Sequence, residues 1–197
     1  MEFIHLFEIA SVLLLGLSVW HFKKTRSEEN PFLFFIPAVL WGFIVELTAM
    51  YLYDLYYYPS AYFLTLFDVP LSIAFGWATA AYIGYYIISK KFHVRKVIDL
   101  DVDTAVVSTA FDFIIVEPIA FFYKFWVWKQ NDFWFNAPFF NFVGWFLVIT
   151  IFMLSYNYIK DIKERKKQLL LFFGLLSFGL IILQIITFIY RDMFGWF

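Results

Sequence analysis

The sequence predicts an all-α integral membrane protein, a bundle of about six transmembrane helices with both termini outside. Three observations lead to this class: the composition, the length of the apolar segments and the placement of the basic residues. Of the 197 residues, 63% are hydrophobic and 16% are charged, whereas a soluble domain is about half apolar and a quarter charged. We expect residues 1–197 to form a single transmembrane helical domain of the cell membrane, because that length corresponds to one domain.

Composition also excludes several kinds of function. The formal net charge of −1 gives no electrostatic basis for binding nucleic acid. The chain has no cysteine, which excludes disulfides, thiolate metal sites and thiol catalysis. His5, His21 and His93 are far apart in the sequence and lack the spacing of metal ligands. We therefore expect neither a metal ion nor a cofactor.

Six apolar segments are long enough to cross a bilayer as helices, which takes about 20 residues each. They cover residues 3–22, 31–54, 65–89, 102–124, 139–160 and 168–190. The first begins without the basic leader of a signal peptide, so we expect it to be a permanent span. A β-barrel would instead show segments of about ten residues in which apolar and polar residues alternate. No internal repeat and no low-complexity linker is evident in the sequence.

The basic residues predict the orientation of the bundle. Three, four and five of them lie between spans one and two, three and four, and five and six, which makes twelve of the 15 in the chain. Because Lys and Arg are enriched in cytoplasmic loops, we expect such loops at 23–30, 90–101 and 160–167. Aromatic residues near the opposite ends predict either an interfacial belt or a lid over an apolar substrate. They are Tyr56, Tyr57, Tyr58, Trp126, Trp128, Trp134 and Trp196.

Ionisable residues inside the spans indicate a functional site. A charge there costs at least ~2.5–3.5 kcal/mol, so such residues normally face the bundle interior. At about 1.5 Å per residue, Glu46 and Glu117 lie roughly 22 Å from the cytoplasmic start of their spans, with Asp112 nearer the midplane and Asn141 entering from the outer side. We expect these four side chains to line one polar cavity in the outer half of the bundle. No Lys or Arg is expected at that depth to pair with the carboxylates.

Asp112 and Glu117 do not lie on one stripe of a regular helix. Five residues rotate by about 500°, which leaves the two side chains ~140° apart. Pro118 cannot donate a backbone hydrogen bond, and its ring pushes on the preceding turn. We therefore expect a kink that turns both carboxylates towards one cavity.

Several motifs together resemble one known family. They are "VPLSIAFGW" (69–77), "APFFNFVGWF" (137–146), an acid in the second span, and Asp, Glu-Pro and Trp-x-Trp between the two segments. Over roughly residues 40–150 the chain resembles the carotenoid biosynthesis membrane-protein family, whose best-known members are bisanhydrobacterioruberin hydratase-like enzymes. The resemblance implies the addition of water to a double bond near the end of an isoprenoid chain. Both a carotenoid end and the prenyl chain of an archaeal-type lipid remain open as substrates.

Matched by position, the resemblance assigns polar and framework residues. The polar positions are Glu46, Asp112, Glu117 and Asn141. The framework positions are Pro70, Trp77, Trp128, Pro138, Gly144 and Trp145. The chain departs from the family in 47–59, which is bulky and rich in tyrosine where a glycine-rich turn is usual. Glu117-Pro118 also stands where Asp-Pro is usual.

The expected reaction requires an acid, a base and a shield for a carbocation. A carboxylic acid in an apolar pocket keeps its proton because desolvation disfavours the anion, and a second, ionised carboxylate can take a proton from water. We expect Glu46, Asp112 and Glu117 to be catalytic, with Asp112, the deepest, favoured as the acid. Aromatic faces stabilise a cation. The residues expected to bind substrate or water are Asn141, Asp68, Tyr51, Trp77, Trp128 and Trp145.

Two other functions fit parts of the sequence. A proton-coupled small-molecule carrier would also use carboxylates in the membrane, although the chain is short and lacks the inverted repeat of many transporters. A non-catalytic carotenoid or lipid binder would need the aromatic residues but not several carboxylates at one depth. A pocket open sideways to lipid favours the hydratase or the binder, and access from both faces favours the carrier. In every case the expected partners are an apolar isoprenoid and membrane lipids.

Overall fold

The computed structural model of the chain confirms the predicted helical bundle. It describes residues 3–59, 62–91, 97–129 and 133–194. Within these residues six helices are long and apolar enough to cross a membrane, and they are Phe3–Thr25, Pro31–Leu52, Leu71–Lys90, Asp99–Tyr123, Phe139–Ile159 and Arg165–Tyr190. The protein is therefore a multi-pass membrane protein, in keeping with the predicted location in the cell membrane. The orientation of its termini stays a prediction.

The helices of the described residues are of two kinds. The α-helices are α1 (Phe3–Thr25), α2 (Pro31–Leu47), α3 (Leu71–Lys91), α4 (Val97–Phe111), α5 (Glu117–Tyr123), α6 (Phe139–Ile159) and α7 (Arg165–Phe194). The π-helices are π1 (Thr48–Leu52) and π2 (Asp112–Val116). Because π1 extends α2, and π2 joins α4 to α5, these elements form six spans.

Four short strands lie at the end of the bundle where α2 and α5 finish. They are β1 (Tyr56–Tyr57), β2 (Thr65–Leu66), β3 (Val69–Pro70) and β4 (Val127–Trp128). β1 pairs antiparallel with β4, and β2 pairs antiparallel with β3. The pairing of β1 with β4 joins the segment after the second span to the segment after the fourth.

The third span was predicted to begin at residue 65, and this boundary is wrong. Residues 65–70 form the β2–β3 hairpin, and the helix begins at Leu71. Phe67 and Asp68 form the turn with φ values of 48° and 56°, as a two-residue hairpin turn requires at both central positions. The apolar character of the hairpin made it look like part of the span. In the predicted loop 90–101, α4 already begins at Val97, and residues 92–96 lie outside the described part.

A cluster of aromatic side chains fills the end of the bundle that carries the basic loops. It consists of Phe22, Phe34, Phe35, Tyr82, Tyr85, Phe152 and Tyr156, all buried. The ring of Phe34 lies 4.9 Å from Tyr156 and 5.3 Å from Phe152, centroid to centroid. Arg26 lies 4.0 Å over the ring of Tyr85 and donates a hydrogen bond of 2.7 Å to Glu29. The rings of this aromatic cluster pack against one another at the end of the bundle opposite to that of the short strands.

An internal repeat relates two parts of the bundle, although none was expected from the sequence. Pro70 and Pro138 each begin the motif P-x5-G-W, which ends at Trp77 in α3 and at Trp145 in α6. Each proline follows a turn of two residues with positive φ. The turn residues are Phe67 and Asp68 in the first copy, and Phe135 (47°) and Asn136 (66°) in the second. The backbone therefore repeats along with the motif.

The repeat extends to the preceding helices and has two-fold character. Each motif follows a helix that carries a buried glutamate next to a π-helix, and then a short strand. The two strands pair with each other so that Tyr57 faces Val127. The rings of Trp77 and Trp145 also meet, stacked at 3.8 Å. At both places a residue of one copy contacts its counterpart in the other copy. These contacts indicate that the two copies are related by a local two-fold axis.

Candidate active site

All four predicted polar residues line one cavity of about 360 Å³. Glu46, Asp112 and Glu117 are at most 5% exposed, although they lie in apolar spans. Asn141 reaches the same cavity from the first turn of α6. Most of the remaining lining is aromatic or aliphatic and comes from α1, α2, α3, α6 and α7. Polar groups therefore converge inside a largely apolar space.

The π-helix π2 brings Asp112 and Glu117 to the same side of their span. The backbone N–H of Glu117 donates to the carbonyl of Asp112, five residues earlier. Because a π-helix completes its turn between residues i and i+5, these two residues lie nearly above one another, whereas a regular helix would separate them. The expected kink at Pro118 is thus an enlarged turn immediately before the proline.

Pro118 and Trp134 explain why the enlarged turn forms and how it is stabilised. Pro118 has no N–H to donate to the preceding turn, so a backbone carbonyl there loses its usual partner. The indole Nε1 of Trp134 donates to the carbonyl of Phe113 at 2.7 Å. This bond satisfies a carbonyl of π2 from outside the helix. Trp134, predicted as belt or lid, serves here to cap the π-helix and does not line the cavity.

The amide of Asn141 joins the two acids of this span. Its Nδ2 donates to Oδ2 of Asp112 at 3.1 Å and to Oε1 of Glu117 at 2.9 Å. Oε2 of Glu117 accepts from the indoles of Trp128 at 3.1 Å and Trp126 at 3.3 Å. Glu117 therefore accepts from three N–H groups, whereas Oδ1 of Asp112 is buried without a partner among the described residues.

Glu46 is held in a matching way on the other side of the cavity. Its Oε2 accepts from the hydroxyls of Tyr56 and Tyr58, and its Oε1 accepts from Nε1 of Trp77 at 2.6 Å. Burial, and then the charge of the nearby Glu46 carboxylate, raise the pKa of Tyr56 and Tyr58 well above the usual range. Both phenols therefore stay protonated and remain donors. An ionised carboxylate can accept hydrogen bonds but cannot donate them, so three donors suit the carboxylate of Glu46.

Each half of the repeat thus supplies one glutamate with three donors. The first half uses Tyr-x-Tyr after its helix, and the second uses Trp-x-Trp at the same place. Asp112 and Asn141 occur in the second half alone. At the corresponding positions, five residues before the glutamate and three after the proline, the first half has Trp41 and Ile73. The two half-sites are therefore alike in construction and different in chemistry.

Trp77 and Trp145 form an aromatic wall beside the carboxylates. Their rings are nearly parallel, with an interplanar angle of 18°. Both line the cavity, together with Trp128; that these three residues bind substrate or water stays a prediction. Aromatic faces within about 6 Å of a cation attract it. The parts of these rings that line the cavity offer aromatic surface to a positive charge there.

Basic residues do not pair with these acids in the described part of the chain. The ion pairs found there join Arg26 to Glu29, Lys129 to Asp54, and His5 to Glu8. The described residues also contain no group of three or more His, Cys, Asp or Glu side chains placed to hold a metal ion. The three carboxyl groups of the cavity are held by neutral donors.

Tyr51 and Asp68, predicted to bind substrate or water, do not line the cavity. Tyr51 is 62% exposed, and its hydroxyl donates to Oδ2 of Asp68 at 2.7 Å. This bond ties the end of π1 to the turn of the β2–β3 hairpin on the surface. The reason is that Asp68 lies in that turn and not at the start of α3, so its side chain points away from the bundle interior.

Sequence reasoning did not identify three of the donors to the two buried glutamates. Tyr56, Tyr58 and Trp126 were considered for a belt or a lid, yet each contacts a buried glutamate and lines the cavity. Tyr57, between the two tyrosines, is 49% exposed, and Trp196 lies outside the described residues. The signal that could have found them is the second occurrence of an aromatic-x-aromatic motif about ten residues after an intramembrane glutamate.

The fold and the cavity define a multi-pass membrane protein with a buried carboxylate site suited to an apolar ligand. The chain matches the family model described as carotenoid biosynthesis protein over residues 3–194. It therefore belongs to that family and is a protein of carotenoid biosynthesis. No curated protein and no solved structure matches it.

Proposed function

We propose that the protein is a membrane-embedded hydratase. It adds water to a terminal C=C bond of a carotenoid or of a prenyl-chain lipid, with the six helices acting as one domain. The observation that carries the proposal is the trio of carboxyl groups around one apolar cavity, two of them joined by the amide of Asn141. Buried carboxyl groups without basic partners are suited to moving protons.

The contacts of each acid suggest its role. Among the described residues nothing bonds to Oδ1 of Asp112, so its Oδ1–H can transfer a proton to the less substituted carbon of the double bond. The other carbon becomes a tertiary carbocation, beside the stacked Trp77 and Trp145 and the carboxylate of Glu46. Negative charge and aromatic faces both stabilise it.

Water then completes the reaction. Its oxygen bonds to the carbocation, and Glu117 accepts the proton that it releases, which yields a tertiary alcohol. Overall, one alkene and one water give one alcohol, and no electron is transferred. The proton returns from Glu117 to Asp112 between turnovers, and both carboxyl groups already contact the same amide of Asn141.

The aromatic cluster argues against the carrier. Its rings pack together at the basic end of the bundle, and Phe22, Phe34 and Tyr156 within it are fully buried, which does not favour a path from that end to the cavity. On the side of α1 and α5, by contrast, Leu14, Ile115 and Ile119 line the cavity and are 43–50% exposed on the lipid-facing surface. Access from the lipid suits an enzyme or a binder of isoprenoids.

The test is a set of neutral isosteres. Glu46→Gln, Asp112→Asn and Glu117→Gln keep the shape of each side chain and remove its acid–base function. The matched control is Asp101→Asn, because Asp101 is equally buried on α4 and pairs with Asn157 outside the cavity. We expect membranes with the three cavity variants to form at least about a hundredfold less hydrated product, and membranes with the control to keep most activity.

Mass spectrometry of lipids and pigments measures the product, which is heavier than its substrate by one water. Melting curves in detergent measure folding at the same time. Full activity in all three cavity variants would remove the hydratase. Binding of isoprenoid by wild type without any hydrated product would favour the non-catalytic binder. Joint loss of activity and folding would indicate that the acids are structural.

A further inference from the structure

The glycines of the bundle fall into two groups. Gly42, Gly84 and Gly179 are required by packing, because a Cβ atom at each would collide with a neighbouring helix. At Gly42 it would lie 2.6 Å from Cβ of Trp77, and at Gly84 it would lie 2.5 Å from Oγ of Ser108. These positions need no ligand to explain them.

Gly76 and Gly144 belong to the second group. A Cβ atom at either position would meet nothing within 4 Å, so helix packing does not require glycine there. Glycine inside a helix is less favourable than alanine because it loses more backbone entropy on folding. Both residues line the cavity. The space beside them is therefore part of the cavity and is not taken by another helix.

The two glycines occupy equivalent positions in the repeat. Each directly precedes one of the stacked tryptophans, Gly76 before Trp77 and Gly144 before Trp145. Because the two rings stack at 3.8 Å, the helices α3 and α6 bring both glycines next to one aromatic wall. A chain that lies along the wall would meet both of them.

We propose that Gly76 and Gly144 determine specificity, by keeping open a groove in which a methyl-branched isoprenoid chain lies against Trp77 and Trp145. The backbone at each glycine gives the branch methyl groups the room that a side chain would take. The identity of the chain rests on the proposed function, but its fit to the groove does not depend on any hydration chemistry.

The test uses alanine at each glycine and a matched pair of controls. Gly16 and Gly174 also have nothing within 4 Å of a Cβ atom, but they are exposed on α1 and α7 and do not line the cavity. Gly76→Ala, Gly144→Ala, Gly16→Ala and Gly174→Ala are compared with wild type in lipid nanodiscs. Because each change improves helix propensity, all four should melt at or above the wild-type temperature.

Binding is measured by quenching of tryptophan fluorescence with two probes. Lycopene is an acyclic, methyl-branched polyene, and parinaric acid is an unbranched one. We expect Gly76→Ala and Gly144→Ala to weaken lycopene binding by about tenfold, the usual effect of one misplaced methyl group in an apolar pocket. Parinaric acid should lose clearly less, and the two control variants should bind both probes like wild type.

Three results would overturn the inference. They are unchanged lycopene binding in both cavity variants, equal losses for the two probes, and no lycopene binding by wild type. A failure of the hydratase proposal looks different. In that case the two cavity variants bind lycopene more weakly and parinaric acid nearly as before, while wild-type membranes make no hydrated product.

Discussion

Hydrogen bonds distinguish the three acids of the cavity from one another. In the part of the chain that the structure describes, Glu46 and Glu117 each accept from three donors, whereas Asp112 accepts from Asn141 alone. A carboxylate surrounded by donors is a poor source of protons, because those donors favour its charged form. An acid with a free oxygen can instead present its proton to a substrate. The contacts therefore agree with Asp112 as the acid, which the sequence favoured on depth alone.

Tyr56 and Tyr58, which donate to Glu46, should make the folded protein less stable at alkaline pH. Their folded-state pKa lies above the unfolded value of about 10. Their contribution is therefore complete below pH ~10 and is lost as the pH rises from there towards the folded-state pKa. We expect the melting temperature of wild type to fall above pH ~10, and to fall less in the double variant Tyr56→Phe, Tyr58→Phe.

Thermal melting between pH 8 and pH 11, values chosen to bracket the tyrosine pKa of about 10, measures this difference. At neutral pH the double variant should be less stable by roughly 1–3 kcal/mol, because buried acceptor oxygens lose their donors. Tyr57→Phe is the matched control, since Tyr57 lies on the same strand and is half exposed. A double variant with the same alkaline slope as wild type would show that Tyr56 and Tyr58 do not contribute through their protons.

At the scale of one element, π2 decides whether the fourth span can place two acids in one cavity. Pro118→Ala restores a backbone N–H and removes the ring that presses on the preceding turn. We expect the turn to tighten into a regular α-helix, which would move Asp112 and Glu117 to ~140° apart. Activity in the membrane assay should fall at least about tenfold, while the melting temperature stays equal or rises.

The control for this variant is a proline outside the site. Pro37 lies inside α2, is buried and does not line the cavity. Pro37→Ala should keep activity, because it does not change the relation between Asp112 and Glu117. Wild-type turnover by Pro118→Ala would mean that the enlarged turn is not needed for the reaction.

Sequence reasoning reached the helices and the acids but not the way they are arranged. Length and hydropathy are local properties, so they predicted six spans and placed Glu46, Asp112, Glu117 and Asn141 at similar depths. The turn before Pro118 depends on which carbonyl accepts from Trp134, a contact across 21 residues. The surface bond between Tyr51 and Asp68 likewise depends on a hairpin whose Leu66, Phe67 and Val69 continue the apolar run of the span that follows. Such contacts are not encoded in periodicity.

The orientation of the whole molecule can be tested by labelling single cysteines. The chain has no cysteine, so Thr65→Cys and Lys163→Cys each introduce one thiol, at exposed positions on opposite ends of the bundle. Because the basic loops are expected in the cytoplasm, an impermeant maleimide should label Thr65→Cys in intact cells. It should label Lys163→Cys only after the membrane is permeabilised. The reverse labelling pattern would show that the basic loops lie outside the cell, opposite to the prediction.

The repeat has the construction of a fused dimer. Two copies of a helix pair, each carrying one glutamate, would associate about the axis where Tyr57 meets Val127 and Trp77 meets Trp145. In a dimer of identical subunits the two glutamates have identical surroundings, so neither can be permanently the acid or the base. Joining the copies in one chain removes that constraint, because each half can then change alone. Asp112 and Asn141, found in one half only, are differences that two identical subunits could not show.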